Sequence, residues 1–301
     1  MCFYKRFIKP FIFLHKDTAF YNSGSPFQGQ IINSRKPLIM GVLNVTPDSF
    51  FAGSRAEDDD ILLMKASAML EQGADILDVG ACSTRPGSLP PSESQERQGL
   101  THALQVLKTH FPAVLLSADT YRASVAEAAI LAGASIINDV SGGTLDPVMF
   151  DLIAKSKATY VLMHIQGTPQ SMQINPQYGN VCNEVLAYFK ERIHILKKQE
   201  VSDIIIDPGF GFGKTIEHNY QLLSHLELFH QLDLPILCGF SRKGMVHKVL
   251  GTDADHALNG TTVLNTIAAL KGAAILRVHD VREAAEVRTL LAVMHKARVE
   301  S

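Results

Sequence analysis

Polar residues that could recognise a ligand follow several short apolar runs of the sequence. Asn44, Asp119, Asn138 and Asp207 each end such a run, and they offer hydrogen-bond donors and acceptors. Grouped around one cavity, these side chains suit a flat nitrogen heterocycle, because a carboxylate can accept two N–H bonds from an amidine-like edge. The residue types therefore predict a site for a ring with amino and lactam groups.

A second set of residues at comparable positions supplies positive charge, namely Arg85, Lys243, Arg277 and His279. Such groups suit a phosphate or pyrophosphate, with Mg²⁺ expected at Asn44 through its side-chain oxygen and water molecules. The formal net charge of the chain is −2, so an anionic ligand must be held by these local cations. The same charge argues against an electrostatically driven nucleic-acid binder.

Simple structural roles could also explain some of these residues. Asp and Asn often cap the helix that follows a strand, and Asn44 could be a turn residue before Pro47. The glycine-rich segment Asp207–Lys214 could be a tight strand-to-helix turn. Polar residues at the ends of all eight apolar runs are harder to explain by capping, which favours a functional site.

Short apolar, β-rich runs alternate with longer segments that have helical spacing of apolar residues. The helical segments Ile61–Gln72, Arg122–Leu131 and His256–Leu270 are each followed within two residues by a glycine, which is a helix-stop signal. The near-continuous apolar runs are typical of parallel strands that are buried on both faces. The predicted strands are Pro37–Leu43, Asp75–Gly80, Val114–Asp119, Ser135–Val140, Thr159–His164, Ile204–Asp207, Pro235–Gly239 and Ala274–His279.

Eight strand-then-helix units without a change in composition predict an α/β protein with a single (β/α)8 TIM barrel over residues 36–301. Residues 1–35 form an N-terminal extension that we expect to be partly disordered. An open, doubly wound sheet is the alternative. However, no G-x-G-x-x-G follows the first strand, and the run Gly209–Gly213 follows the sixth strand instead. In a barrel the active site lies at the carboxyl ends of the strands, which is where the polar residues fall.

Composition bears on the compartment of the protein. Cys2, Cys82, Cys182 and Cys238 include no C-x-x-C pair, so we interpret them as thiols in a reducing environment. No apolar run reaches the ~18 residues that a membrane span requires. We therefore expect a cytoplasmic protein without a membrane partner.

Five motifs resemble dihydropteroate synthases of the pterin-binding enzyme family, and they occur in the order found in that family. The resemblance extends from about Pro37 to Val293. The motifs are Asn44–Phe50, Ser83–Gly87, Asp207–Lys214, Ser241–Lys243 and Arg277–His279.

The resemblance implies a role for each matching residue. The pterin-binding residues would be Asp119, Asn138, Met163, Asp207, Phe212, Gly239, Lys243 and Arg277. Pyrophosphate and p-aminobenzoate would be contacted by Phe50, Thr84, Arg85, Pro86, Ser241, Arg277 and His279. The residues directly involved in catalysis would be Asp119, Asp207, Lys243, Arg277 and His279, and Asn44 would bind the metal.

The implied reaction joins dihydropterin pyrophosphate to p-aminobenzoate, with Mg²⁺ as cofactor. The resemblance also implies a homodimer and a sulfonamide target. Cys82 and Gly244 depart from the family pattern, in which many members have a glutamate at the first position and some have a serine at the second. The alternative functions are a corrinoid methyltransferase-like pterin-binding domain and a non-catalytic pterin-binding paralogue.

Overall fold

A computed structural model describes residues 36–45, 55–81 and 91–299 of the chain. Strands and helices alternate along it, as the sequence predicts. The strands are β1 Leu38–Asn44, β2 Ile76–Gly80, β3 Leu115–Asp119, β4 Ile136–Asp139, β5 Thr159–Met163, β6 Ile204–Asp207, β7 Leu237–Cys238 and β8 Ile275–Val278.

The helices follow the strands in regular order. They are α1 Arg55–Glu71, α2 Glu93–His110, α3 Ala123–Leu131, α4 Met149–Ser156, α5 Val181–Lys198, α6 Ile216–Ser224, α7 Gly244–His247, α8 Leu258–Leu270 and α9 Val281–Val299, with a 3-10 helix at Leu226–Leu232. Among the helix starts that the structure describes, two have a capping box, in which Ser92 pairs with Gln95 and Thr215 pairs with His218.

The eight strands form one sheet in the order β6-β5-β4-β3-β2-β1-β8-β7, and every pairing is parallel. A parallel bridge between Ile206 and Ile236 joins β6 to the start of β7 and closes the sheet into a barrel. The prediction of a single (β/α)8 barrel is thus confirmed. The predicted strands agree with the observed ones within about two residues at each end, and the largest difference is the shortening of β7.

Alternation along each strand divides its side chains between two cores, because successive strand residues point to opposite faces of a sheet. The strand residues that point outward pack against the surrounding helices, as Ile39, Leu77 and Tyr160 do. The strand residues that point inward fill the interior of the barrel. This inner apolar layer takes one residue from nearly every strand: Met40, Ile76, Ile136, Val161, Ile205, Leu237 and Ile275, with Leu38, Leu115 and Ala274 packed beside them.

Two cysteines, Cys182 and Cys238, are buried free thiols in the part of the chain that the structure covers. The helices among the described residues include none with both the length and the apolar character needed to cross a membrane.

Candidate active site at the carboxyl rim of the barrel

A polar layer lies directly above the inner apolar layer, two residues further along the strands. Asp78 of β2 is fully buried there and is the centre of the layer. Its carboxylate accepts hydrogen bonds from Arg277 Nε at 2.7 Å, Asn138 Nδ2 at 3.0 Å and Ser117 Oγ at 2.6 Å. Side chains from four strands are therefore held together by one carboxylate.

Asp119, at the end of β3, connects this layer to the rim. Arg277 Nη2 donates to Asp119 Oδ2 at 2.7 Å, so the guanidinium bridges two carboxylates. Burial raises the pKa of Asp119 to about 7, although the charge of Arg277 opposes the rise. Among the described residues Arg277 is bonded to Asp119 Oδ2, and a carboxylate has further lone pairs, so Asp119 can accept another N–H bond from a ligand.

Asp207, at the end of β6, is a second buried carboxylate on this rim, and Gly209 N donates to its Oδ1 at 2.7 Å. Burial raises the pKa of Asp207, while the charges of Lys243 and Arg277 oppose the rise. Met163 is the register partner of Asp207 in β5 and packs in a small apolar cluster with Phe212. This side of the site thus combines a carboxylate with an apolar wall.

Lys243 faces the same wall. Its ammonium donates to Phe210 O at 2.6 Å and lies 4.7 Å from the centre of the Phe212 ring. Burial lowers the pKa of Lys243 to about 8, while Asp207 opposes the fall. A Cβ added at Gly239 would lie 3.6 Å from Arg277 Cβ and 3.8 Å from Lys243 Nζ, so glycine leaves open the space beside the Lys243 ammonium.

The glycine-rich loop after β6 is a tight turn that also shapes the site. Gly209 has a φ of +70°, and a Cβ there would lie 2.0 Å from His164 O. Gly213 has a φ of +59°, and a Cβ there would lie 2.4 Å from Gln166 O. The glycines therefore let the loop press against the segment after β5, and that contact places Phe212 beside Lys243.

Ser241 and His279 form a polar pair next to Arg277. The Oγ of Ser241 lies 3.0 Å from His279 Nδ1, and the backbone N–H of His279 donates to the same Oγ at 3.2 Å. Burial and the nearby charge of Arg277 lower the pKa of His279 to about 4. The imidazole is therefore neutral at pH 7 before a ligand binds.

Asn44 ends β1 on the exposed rim, where its Oδ1 and the Asp119 carboxylate lie on either side of Gly80. Within the described ranges, no group of three or more His, Cys, Asp or Glu residues could hold a metal ion. An amide oxygen nevertheless fits Mg²⁺, which often keeps several waters and takes its other ligands from substrate phosphates.

The structure brings most of the predicted site residues to one end of the barrel, although their roles stay predictions. Those placed there are Asn44, Asp119, Asn138, Met163, Asp207, Phe212, Gly239, Ser241, Lys243, Arg277 and His279. Phe50, Thr84, Arg85 and Pro86 lie outside the described residues.

Two polar residues of the strand ends and loops do not belong to the site. Asp139 points away from the barrel interior and accepts bonds from Ser141, Gly143 and Tyr160. Arg242 pairs with Asp280, with Nη2 2.7 Å from Oδ1. Their neighbours Asn138 and Lys243 take the inward positions instead.

Sequence reasoning did not single out Asp78 and Ser117, which support Arg277 and Asn138 from below. The signal for Asp78 was its position two residues after Ile76 within an apolar run. This spacing makes Asp78 point into the barrel, as Ile76 does. A charged residue inside an otherwise buried strand requires polar partners, and those partners come from other strands.

Comparison with known proteins agrees with this geometry. A family model described as pterin binding enzyme matches residues 40–279. The dihydropteroate synthase of Escherichia coli K12 is 39% identical over 261 residues, which is 86% of this chain and 92% of that protein.

Solved structures give the same result. Yersinia pestis dihydropteroate synthase in complex with a sulfonamide drug superposes with a TM-score of 0.82 at 37% identity, covering 89% of this chain and 98% of that one. Xanthomonas albilineans dihydropteroate synthase with 4-aminobenzoic acid gives a TM-score of 0.80 at 34% identity, with coverage of 89% and 96%.

Proposed function

The chain belongs to the dihydropteroate synthase family of pterin binding enzymes, and we propose that the carboxyl rim of the barrel is where it acts. It condenses (7,8-dihydropterin-6-yl)methyl diphosphate with 4-aminobenzoate to give 7,8-dihydropteroate and diphosphate in folate biosynthesis. The observation that carries the assignment of the site is the pairing, in one barrel mouth, of buried carboxylates with partly buried cations.

The pterin ring lies, in this proposal, between Asp119 and Asp207, with Asn138 below it. The carboxylates accept the N–H groups of the ring edge, and Met163 and Phe212 contact its faces. Charge-assisted hydrogen bonds of this kind are roughly twice as strong as neutral ones. Arg277 lies against the ring and is held in place by Asp78 and Asp119.

The reaction breaks the bond between the pterin methylene and the pyrophosphate oxygen, and the electron pair leaves with pyrophosphate. The amine nitrogen of 4-aminobenzoate forms the new C–N bond and releases a proton. Asp119 and Asp207 stabilise the positive charge that grows on the ring, while Arg277 and His279 stabilise the leaving anion. Preorganised charges of this type are commonly the largest catalytic contribution.

A strong general base is unnecessary, because an aryl amine is already a neutral nucleophile. The low pKa of His279, about 4, supports this view, since such an imidazole is a weak base. Its neutral ring can donate a hydrogen bond to pyrophosphate. Ser241, bonded to His279 Nδ1, lies where it can also contact the carboxylate of 4-aminobenzoate.

Mg²⁺ is part of the proposal. Asn44 would hold it together with pyrophosphate oxygens and water, and the ion would neutralise charge on the leaving group. Arg85, on the segment 83–87 outside the described ranges, is proposed to contact the same anion, with Thr84, Pro86 and Phe50 near 4-aminobenzoate.

A homodimer is proposed on the basis of exposed apolar side chains on α8 and α9. Leu258, Val263, Leu290 and Val293 are exposed, whereas Leu291 is buried against Val287 and Ala269. Light scattering of wild type and Leu290→Glu would test this. We also propose a cytoplasmic location and sensitivity to sulfonamides, the latter because the Yersinia pestis relative was solved with such a drug.

The direct test of function uses purified protein, dihydropterin pyrophosphate, 4-aminobenzoate and Mg²⁺, with detection of dihydropteroate. We expect turnover that depends on both substrates. A folded protein that binds pterin but forms no product would contradict the proposal and favour a non-catalytic pterin-binding protein.

A further inference from the structure

Lys214, at the end of the loop after β6, is a buried cation that the reaction described above does not use. Only 3% of its surface is exposed. Its ammonium lies 3.0 Å from His164 Nδ1, 3.3 Å from His164 O, 3.0 Å from Gly209 O and 3.0 Å from Phe212 O. A lysine has three N–H donors, so the four acceptors share them, and all four are uncharged.

His164 takes part as an acceptor. Burial and the charge of Lys214 lower the pKa of His164 to about 2, so its ring is neutral. In the tautomer with the proton on Nε2, the Nδ1 atom accepts a hydrogen bond from Lys214. Its ring also packs edge-on against Tyr188, with 4.9 Å between ring centres. Burial lowers the pKa of Lys214 to about 7, while the charge of Asp207 opposes the fall. Burial of an ammonium is costly unless its donors are bonded, so the bonds of this cage favour the charged form of Lys214.

The cage connects backbone positions that lie next to the proposed pterin contacts. His164 follows Met163 at the end of β5. Gly209 donates its N–H to Asp207, and the Phe212 ring lies beside Lys243. Because Gly209 has no room for a Cβ against His164 O, the loop and the end of β5 are in direct contact at this point.

We infer that Lys214 is a positioning residue for the pterin ring, because its ammonium holds the loop 208–213 against the end of β5 at the spacing of the pterin slot. This inference rests on the proposed function. Lys214 does not contact the ring. It fixes the carbonyl groups behind the slot, so the loss of its charge lets the two walls separate and leaves the 4-aminobenzoate contacts unchanged.

The test replaces Lys214 by methionine, which keeps most of the stem and removes the charge. Calorimetry with 6-hydroxymethyl-7,8-dihydropterin, which lacks pyrophosphate, measures ring binding directly. We expect its Kd to rise at least about tenfold, which corresponds to roughly 1.4 kcal/mol. The KM for dihydropterin pyrophosphate should rise in parallel, while the KM for 4-aminobenzoate stays within about twofold of wild type.

Lys271→Met is the matched control. Lys271 also bonds a backbone oxygen, Ser224 O at 3.0 Å, and a carboxylate, Glu227 Oε1 at 2.7 Å. It precedes β8 and so lies at the opposite end of the barrel from the site. This variant should lower thermal stability without changing pterin affinity, and it separates a general loss of stability from an effect on the slot.

A rescue experiment distinguishes positioning from a purely structural role. Lys214→Ala removes the equivalent of propylammonium, so added propylammonium should restore pterin affinity while the larger butylammonium should not. If the Lys214 variants do not fold, His164→Leu decides. It removes the imidazole acceptor together with the ring's contact to Tyr188, and it should weaken pterin binding without changing the KM for 4-aminobenzoate.

Wild-type pterin affinity in folded Lys214→Met, or in folded His164→Leu when the Lys214 variants do not fold, would overturn the inference. Equal losses for pterin and 4-aminobenzoate would also overturn it. Failure of the proposed function is a distinct result, since in that case the wild-type protein itself would show no turnover.

Discussion

Asp78→Asn tests whether the polar layer beneath the rim sets the position of Arg277. The substitution keeps the size and shape of the side chain but removes its charge and turns one oxygen into an N–H₂ group. That group can face Ser117, whose hydroxyl is able to accept as well as donate. Arg277 then keeps an uncharged oxygen where it had a carboxylate, and Asp119 is its remaining ionised partner.

The magnitude follows from these contacts. Hydrogen bonds to charged groups contribute roughly 1.5–3 kcal/mol each, and breaking a buried ion pair costs about 3–5 kcal/mol when one charge is left alone. Because Asp119 still pairs with Arg277, we expect a loss of about 2–4 kcal/mol in the free energy of unfolding. For a chain of this length, that loss lowers the melting temperature by roughly 3–6 °C.

Activity should fall as well. Without Asp78, the guanidinium is drawn toward Asp119 alone, and a displacement of about 1 Å near reacting groups can cost on the order of 100-fold in rate. We therefore expect kcat/KM for dihydropterin pyrophosphate to drop about 10- to 100-fold. The assay is steady-state pyrophosphate release, combined with thermal melting followed by circular dichroism.

Asp139→Asn is the control for this experiment. Asp139 is also fully buried and accepts bonds from Ser141 Oγ at 2.7 Å, Gly143 N at 2.8 Å and Tyr160 OH at 2.7 Å, but it lies on β4 and points out of the barrel. It should lose comparable stability and keep its kinetics within about threefold. A folded Asp78→Asn that turns over like wild type would refute the reasoning, and so would an equal loss of turnover in Asp139→Asn.

Three further predictions concern the two ends of the site. Asp207→Asn should weaken binding of the bare pterin and slow the chemical step on the order of 10²–10³-fold. His279→Ala should lower turnover and leave bare pterin affinity, measured by calorimetry, unchanged. The opposite pattern would reverse the assignment of the pterin and pyrophosphate ends of the site. Excess chelator should abolish turnover, and full activity in chelator would show that the reaction does not require Mg²⁺. Asn44→Ala should weaken metal-dependent binding of pyrophosphate more than binding of the pterin. Bare pterin affinity should be greatest near pH 7, because Asp119 takes up a proton as the pH falls below about 7, while Lys214 loses one as the pH rises above about 7 and Lys243 loses one above about 8; an affinity that is flat from pH 6 to pH 9 would contradict this.

The sequence by itself determined the barrel. Each strand is a short apolar run, each helix has apolar residues at helical spacing, and both patterns are local properties of the chain. The end of a strand is also local, so the order of residue types alone was enough to place Asn44, Asp119 and Asp207 on one rim. Parallel strands of a closed barrel must end at the same side, which makes that placement a consequence of the fold class.

Only the tertiary structure decided which polar groups meet. Asp78 and Arg277 are 199 residues apart, and Lys214 and His164 are 50 apart. The partner of a buried charge depends on strand register and loop packing, and no local pattern records these features. The sequence could predict that Asp78 points into the barrel, because it lies two residues after Ile76 on the same strand. That it holds Arg277 and Asn138, while the equally buried Asp139 holds only its outer neighbours, depends on how the strands are aligned in the closed barrel.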